Sequence, residues 1–178
     1  RAGEANDPSL RARIKLGLWG YRDIVEIPGM EWETKNFTET LQSVEEFQKT
    51  LETVRAATSG SADYPESLFN GMRDAIQKTA WRDKAVRYLI LVGDAPGHLP
   101  GEKWEVPPDV SAATAPLYQK LVGIPKNSSD ANATTVRLMA GDQNVTVFSI
   151  HLRDERLSPA DRNLYWTLAE EQFRELAR

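Results

Sequence analysis

The alternation of apolar and polar residues predicts the elements of this chain from one end to the other. Ile14 to Tyr21 reads IKLGLWGY, with Ile14, Leu16 and Leu18 alternating with Lys15, Gly17 and Trp19, which is the period of a strand. Asp23 follows where that strand should end. A weaker strand over Glu31 to Phe37 follows the Pro28–Gly29 turn and reads as a polar hairpin partner at a sheet edge. Val44, Phe47, Leu51 and Val54 then recur at helical spacing, behind Ser43 and Glu46 at the spacing of a capping box. This helix should end near Ala57, before the Ser59–Gly60–Ser61 loop. Pro65 predicts the first turn of a second helix, whose buried stripe is Leu68, Met72, Ala75 and Ile76.

Val86 to Val92 (VRYLILV) and Val145 to Leu152 (VTVFSIHL) are nearly continuous in apolar character, as expected of parallel strands buried on both faces. Asp94 follows the first of them directly, in the string GDAPGH. Between the two strands, Val136 and Met139 belong to a helix that Gly141 should stop. Ser158, Pro159 and Asp161 open a last helix with Leu164, Leu168, Phe173 and Leu176 on its inner face. The segment from Asp94 to Asn127 holds six prolines and reads as irregular, apart from a helical patch at Leu117 to Leu121. A connection of that length inside a compact domain points to a role.

Strands alternating with helices predict an α/β fold with a mostly parallel central sheet flanked by helices, in one domain over residues 1–178. Ligands of such sheets sit beyond the carboxyl ends of the strands. Asp23, Asp94 and the loop Ser59 to Glu66 all fall there.

Composition narrows the function. A 40% apolar, 27% charged chain of 178 residues is ordinary for a globular domain, and a net charge of −4 argues against a nucleic-acid partner. No apolar run approaches a membrane span. The chain opens at Arg1 without a signal-peptide pattern and reads as a fragment of a longer protein. Having no cysteine excludes disulfides and a thiol nucleophile, and leaves the periplasm and the cytoplasm of a bacterium equally open. Asn-x-Ser/Thr triplets at Asn36, Asn127, Asn132 and Asn144 read as polar loop chemistry.

The chemistry-bearing residues are Asp63, Glu66, Asp94 and His98. Carboxylates on neighbouring loops suit a hard divalent cation; the alternative is that Asp63 caps the following helix and Asp94 bonds local amides. His98 reads as the residue that fixes the turn after Asp94, with a general base as the rival role. His151, within an apolar strand, reads as a core or rim residue. Trp104 stands in a polar, Pro-rich loop and is either an exposed contact anchor or a pin that folds back onto its own loop. A nucleophile elbow, a phosphate loop, a dinucleotide fingerprint and the protein-kinase signatures are all absent from the sequence.

Four strings in this order resemble a von Willebrand factor A-type domain: GLWGYRD (Gly17 to Asp23), DYPESLFNGMRDAI (Asp63 to Ile76), YLILVGDAPGH (Tyr88 to His98) and VTVFSIHL (Val145 to Leu152). They span most of the chain. GYRD and GDAPGH are similar to a bacterial subgroup attached to Ser/Thr protein kinases, including those of type VI secretion. The resemblance implies a metal-ion-dependent adhesion site on the loops, in which Asp94 matches the aspartate after the fourth strand and Asp63 to Glu66 matches the second loop. The family's Asp-x-Ser-x-Ser motif and its first strand have no counterpart here; Asp7-Pro8-Ser9 is a partial echo.

The expectation is therefore a non-catalytic protein-interaction or sensing module of a larger regulatory protein. Its partner would bind the rim of Asp23, Asp63, Glu66, Asp94, His98 and Trp104. Magnesium or manganese would bind weakly or not at all through Asp94 and Asp63, since two carboxylates supply few of the six oxygens magnesium requires. The rival class is a metal-dependent hydrolase or phosphotransfer domain using Asp63, Asp94 and His98; a third is a purely structural, dimer-forming domain.

Overall fold

The computed structural model describes residues 13–24, 30–55 and 61–178. The chain forms strands β1 (Trp19–Tyr21) and β2 (Thr34–Asn36), helices α1 (Val44–Thr53) and α2 (Leu68–Lys78), strand β3 (Arg87–Gly93), helices α3 (Ala115–Leu121) and α4 (Ala133–Asp142), strand β4 (Val145–His151) and helix α5 (Pro159–Leu176). The Pro28–Gly29 turn and the Asp7-Pro8-Ser9 echo fall outside the described residues, whereas the first helix, expected to end near Ala57, ends at Thr53 because Val54 is already extended.

The fold is mixed α/β, but the expected central sheet is divided. β1 pairs antiparallel with β2, with Gly20 opposite Lys35, and β3 pairs parallel with β4, from Arg87 opposite Val145 to Gly93 opposite His151. The long strand expected over Ile14 to Tyr21 is broken. Leu16 exchanges both backbone bonds with Gln42, whereas Leu18 N–H donates to the Thr38 hydroxyl at 3.1 Å instead of to a carbonyl, so the ladder is interrupted between them. A gap of about 440 Å³ separates the two sheets, lined by Leu16, Leu18 and Tyr21 on one side, Leu89 and Leu91 on the other, and Met72 of α2.

Among the described residues, the strands β3 and β4 are covered on one face only, contrary to the expectation from their apolar runs. Leu91, Val145 and Val147 are buried with Leu68, Phe69, Met72 and Ile76 of α2, Val136 of α4, and Phe173 and Leu176 of α5. Tyr88, Ile90 and Val92 of β3, with Phe148 and Ile150 of β4, alternate onto the opposite face and are exposed. An apolar run does not by itself say how many layers will cover it.

Local signals account for the helix ends. Ser43 and Glu46 form the expected capping box on α1, yet no residue of α1 is fully buried and Leu51 is exposed. Pro65 lies outside α2. Glu66 N–H donates to Pro96 O (2.9 Å) and Glu66 O accepts from His98 N–H (3.1 Å), which keeps this segment extended and delays the helix until Leu68. α4 runs past Gly141 to Asp142, and the left-handed turn that ends it is taken by Asn144 at φ 52°. On α5 the inner face is Ala169, Gln172, Phe173 and Leu176, which leaves Leu164 exposed.

The Pro-rich segment has a core of its own. Trp104 and Leu121 are buried with Ile24 and Met30, against Leu117, Tyr118 and Ile124. Trp104 exchanges backbone bonds with the 123–124 turn: its N–H donates to Ile124 O and its carbonyl accepts from Gly123 N–H, both at 3.0 Å. Lys126 N–H donates to Glu102 O at 2.9 Å and extends the tie. Of the two readings of Trp104, the structure has the pin.

Candidate functional site

Three chain segments converge beyond the carboxyl ends of β1 and β3. The first leaves β1 through Arg22 to Asp23, and Arg22 O accepts from Ser67 N–H at 2.8 Å. The second, residues 61–67, is held by Ser61 Oγ donating to Glu66 Oε1 (2.7 Å), by the Tyr118 hydroxyl donating to Ala62 O, and by the Tyr64 hydroxyl donating to Asp94 O (2.8 Å). The third is the GDAPGH turn.

The two glycines of that turn have steric reasons. A Cβ on Gly93 would lie 2.1 Å from the Tyr21 hydroxyl oxygen, and one on Gly97 would lie 2.8 Å from the Phe69 ring. Only a residue without Cβ allows the turn to approach β1 and α2 so closely. Gln172 of α5 then clamps Gly97: its Oε1 accepts from Gly97 N–H at 2.7 Å and its Nε2 donates to Gly97 O at 3.0 Å. Asn127 Nδ2 donates to His98 O at 3.1 Å and to Ala131 O at 2.6 Å. His98 is therefore fixed by its backbone on both sides.

The His98 ring points into a polar cluster under Trp104. Its Nε2 lies 3.4 Å from Asp23 Oδ1 and 3.5 Å from Asp63 Oδ1, and its Nδ1 lies 3.5 Å from Glu102 Oε2. The Trp104 ring stands edge-on to it at 5.8 Å between centroids, and Lys126 Nζ sits 4.5 Å above Trp104 while donating to Asp63 Oδ2 at 2.6 Å. The side chains of His98 and Asp23 are 1% and 0% exposed. Asp23 Oδ1 accepts from Ile24 N–H at 2.8 Å; Asp23 Oδ2, Asp63 Oδ1, Glu66 Oε2 and both ring nitrogens of His98 are buried without a hydrogen-bond partner.

Burial dominates the electrostatics. It raises the Asp63 carboxyl above its usual range against the opposing pull of His98 and Lys126. It pushes Glu66 up to about 7, with Asp23 adding to the effect and the Ser61 hydrogen bond opposing it. For His98 burial disfavours the charged ring, but the carboxylates of Asp23 and Asp63 outweigh it and hold its pKa above the ordinary histidine value.

Among the described residues, Asp23, Asp63 and His98 form a group that could hold a metal ion, with one ligand atom from each and all three atoms within 4.8 Å of one another. This changes the expected ligand set. Asp63 is retained, but its companions are Asp23 and His98. Asp94 is exposed at the end of β3 and lies outside the group. The adhesion-type magnesium site implied by the family resemblance would centre on Asp94, which stands at the surface and outside this group. Of the expected rim, Asp63, Glu66 and Asp94 retain exposure, whereas Asp23, His98 and Trp104 are buried. The exposed apolar side chains nearby are Leu99 and Val106.

Sequence reasoning missed Lys126, Asn127, Gln172 and Glu102. Gln172 carried a signal, as a polar residue at inner-face spacing from Ala169 and Leu176 on the last helix. Asn127 stood out only as part of a triplet, and nothing local pairs Lys126 with Asp63, 63 residues away.

No protein-family model matches the chain. Alpha-protein kinase vwkA of Dictyostelium discoideum is 34% identical over 85 residues, a match that covers 48% of this chain and 12% of that protein. The chain thus spans a small part of the length of the curated relative it matches. No helix of the described residues is long and apolar enough to cross a membrane.

Proposed function

We propose that this chain is a non-catalytic interaction module of a larger bacterial regulatory protein, resembling the von Willebrand factor A-type domains attached to secretion-associated Ser/Thr kinases. It binds a protein partner through the loops beyond β1 and β3. The observation that carries this reading is the burial, among the described residues, of the polar cluster best suited to acid–base work. His98 and Asp23 lie sealed beneath Trp104, where a substrate has no access, while Asp94, Leu99 and Val106 around them face solvent. A general base must come within hydrogen-bond reach of the proton it takes, and these groups are enclosed instead. A mixed acidic and apolar rim on a rigid scaffold suits recognition.

Two measurements test it. Hydrolysis of phosphomonoester, carboxylic-ester and nucleotide substrates with added magnesium or manganese should be absent. Turnover that disappears in both Asp63→Ala and His98→Ala would establish the enzyme reading. A photo-crosslinking residue at position 99 should capture the partner, and the same residue at position 164, on the exposed face of α5, should not. Capture from 164 alone would place the interface on the helices.

A further inference from the structure

We infer that Asp23, Asp63 and His98 form a buried structural site for a first-row divalent ion of the zinc class, fastening the end of β1, the loop before α2 and the GDAPGH turn to one another. This site does not use Asp94, and it stands or falls independently of the partner-binding reading.

The geometry gives three reasons. First, the ligand atoms are free. Asp63 Oδ1, Asp23 Oδ2 and His98 Nε2 are buried without hydrogen bonds, although other atoms of the same carboxylates are satisfied by Lys126 and by Ile24 N–H. Buried polar atoms are rarely left in that state, and a group of three on converging loops points to something between them.

Second, the spacing suits a tetrahedral ion. Bonds of about 2.1 Å in tetrahedral order set ligand atoms about 3.4 Å apart. Nε2 lies 3.5 Å from the free Asp63 Oδ1 and 3.4 Å from Asp23 Oδ1, whose carboxylate also carries the free Oδ2, and one ligand atom from each residue lies within 4.8 Å of the others. Octahedral magnesium with bonds of similar length would set neighbouring ligands about 3.0 Å apart. An imidazolium bridging the two carboxylates would draw them to about 2.7–2.9 Å, the length of a charge-assisted bond.

Third, the outer groups match a metal-bound histidine. Glu102 Oε2 faces Nδ1 at 3.5 Å, the place of a carboxylate that keeps the proton on Nδ1 and leaves the Nε2 lone pair to the ion. Imidazole with carboxylate selects zinc-like ions over magnesium or calcium. Two carboxylates and a neutral ring balance a doubly charged ion, and the burial of Asp23 and His98 strengthens each contact, while the fourth tetrahedral position would fall to a water beside the partly exposed Asp63.

The test is competition for zinc between the purified protein and a chromophoric chelator, with metal content measured by elemental analysis. One zinc per chain is expected, held with a Kd below about 1 µM. His98→Gln and Asp23→Asn should each weaken binding more than the roughly 100-fold that marks the upper range for an outer-sphere change, and Glu102→Gln by about 10-fold. Asp142→Asn, at the far end of α4, should leave it unchanged. These buried variants could fail to fold, so the unaltered protein is also loaded with cobalt. Intense visible absorption of four-coordinate Co2+, together with quenching of the tryptophan emission that Trp104→Phe reduces, is the expected signature. A protein that takes up no zinc, or a weak six-coordinate cobalt spectrum, overturns the proposal. So does binding lost in Asp94→Ala and kept in His98→Gln.

Discussion

The two hydrophobic clusters of this protein are built on different terms. The larger one joins α2, β3, β4, α4 and α5, and its members recur at the spacings of helix and strand. The smaller one gathers Ile24, Met30, Trp104 and Leu121, which come mostly from loops and are held by side-chain and turn contacts between distant segments. The first cluster makes the scaffold. The second lies over the buried side chains of Asp23 and His98 and leaves Asp63 partly exposed. Periodic burial yields stability, and aperiodic burial yields an environment for a few polar atoms.

Removing a large side chain from each cluster should separate them. Phe69→Ala opens the scaffold where α2 meets the GDAPGH turn and should cost about 3–5 kcal/mol of global stability. Trp104→Ala removes a side chain that is equally enclosed, but its cluster belongs to loops that can open locally. Its loss should appear mainly as faster amide exchange over residues 98–126, with a smaller shift of the denaturant midpoint. Equal global losses would show that the two clusters unfold as one.

A pH series sharpens the comparison at the polar group. Glu66 has its pKa pushed up to about 7, against an unfolded value of 4.5. A raised carboxyl pKa means that the folded state holds the proton more tightly. Its contribution is complete below the unfolded value and is lost as pH rises through the folded one. In metal-free buffer, stability should therefore fall between about pH 4.5 and 7, by of order 2 kcal/mol after allowance for the part of Glu66 that remains solvated. Glu66→Gln should flatten that slope, as read from urea midpoints. An unchanged slope would assign the dependence to other groups.

The smallest effect belongs to α1, which contributes no residue to either cluster. Ser43→Ala removes half of its capping box and should cost about 1 kcal/mol of helix stability. Because no residue of α1 is fully buried, the change should show as local fraying in hydrogen exchange, with little movement of the global midpoint.

What was legible in the sequence follows the same division. α2, β3, β4 and α5 stand where the apolar periods placed them, and the Ser43–Glu46 box is present, because these features depend on neighbours within a few residues. The layering was not legible, since VRYLILV reads alike whether one face is covered or two. At the site, the rule of carboxyl ends gathered Asp23, Asp63 and His98 onto one rim but did not choose among the acids. Asp94 follows its strand directly yet is exposed, whereas Asp23 is sealed once Ile24 enters the loop cluster. The fate of Trp104 was decided by backbone bonds to residues 123 and 124, a pairing no local pattern announces.

Tyr21 carries a consequence for how this sequence can vary. Its side chain runs between α2 and β3, where a Cβ on Gly71 would lie 2.5 Å from Tyr21 Cβ and one on Gly93 would lie 2.1 Å from its hydroxyl oxygen. Two glycines thus make a slot, and one aromatic residue fills it to join sheets that share no ladder. Asp23 lies two residues beyond that joint on one side, and Asp94 one residue beyond it on the other. The three positions behave as a single heritable unit. Enlarging Gly93 is tolerable only where Tyr21 has already been shortened, whereas enlarging Gly71 meets the Tyr21 Cβ that any residue but glycine keeps, and shortening Tyr21 alone leaves a void between the halves. Among natural and laboratory variants, residues 21 and 93 should change together, while Gly71 remains fixed.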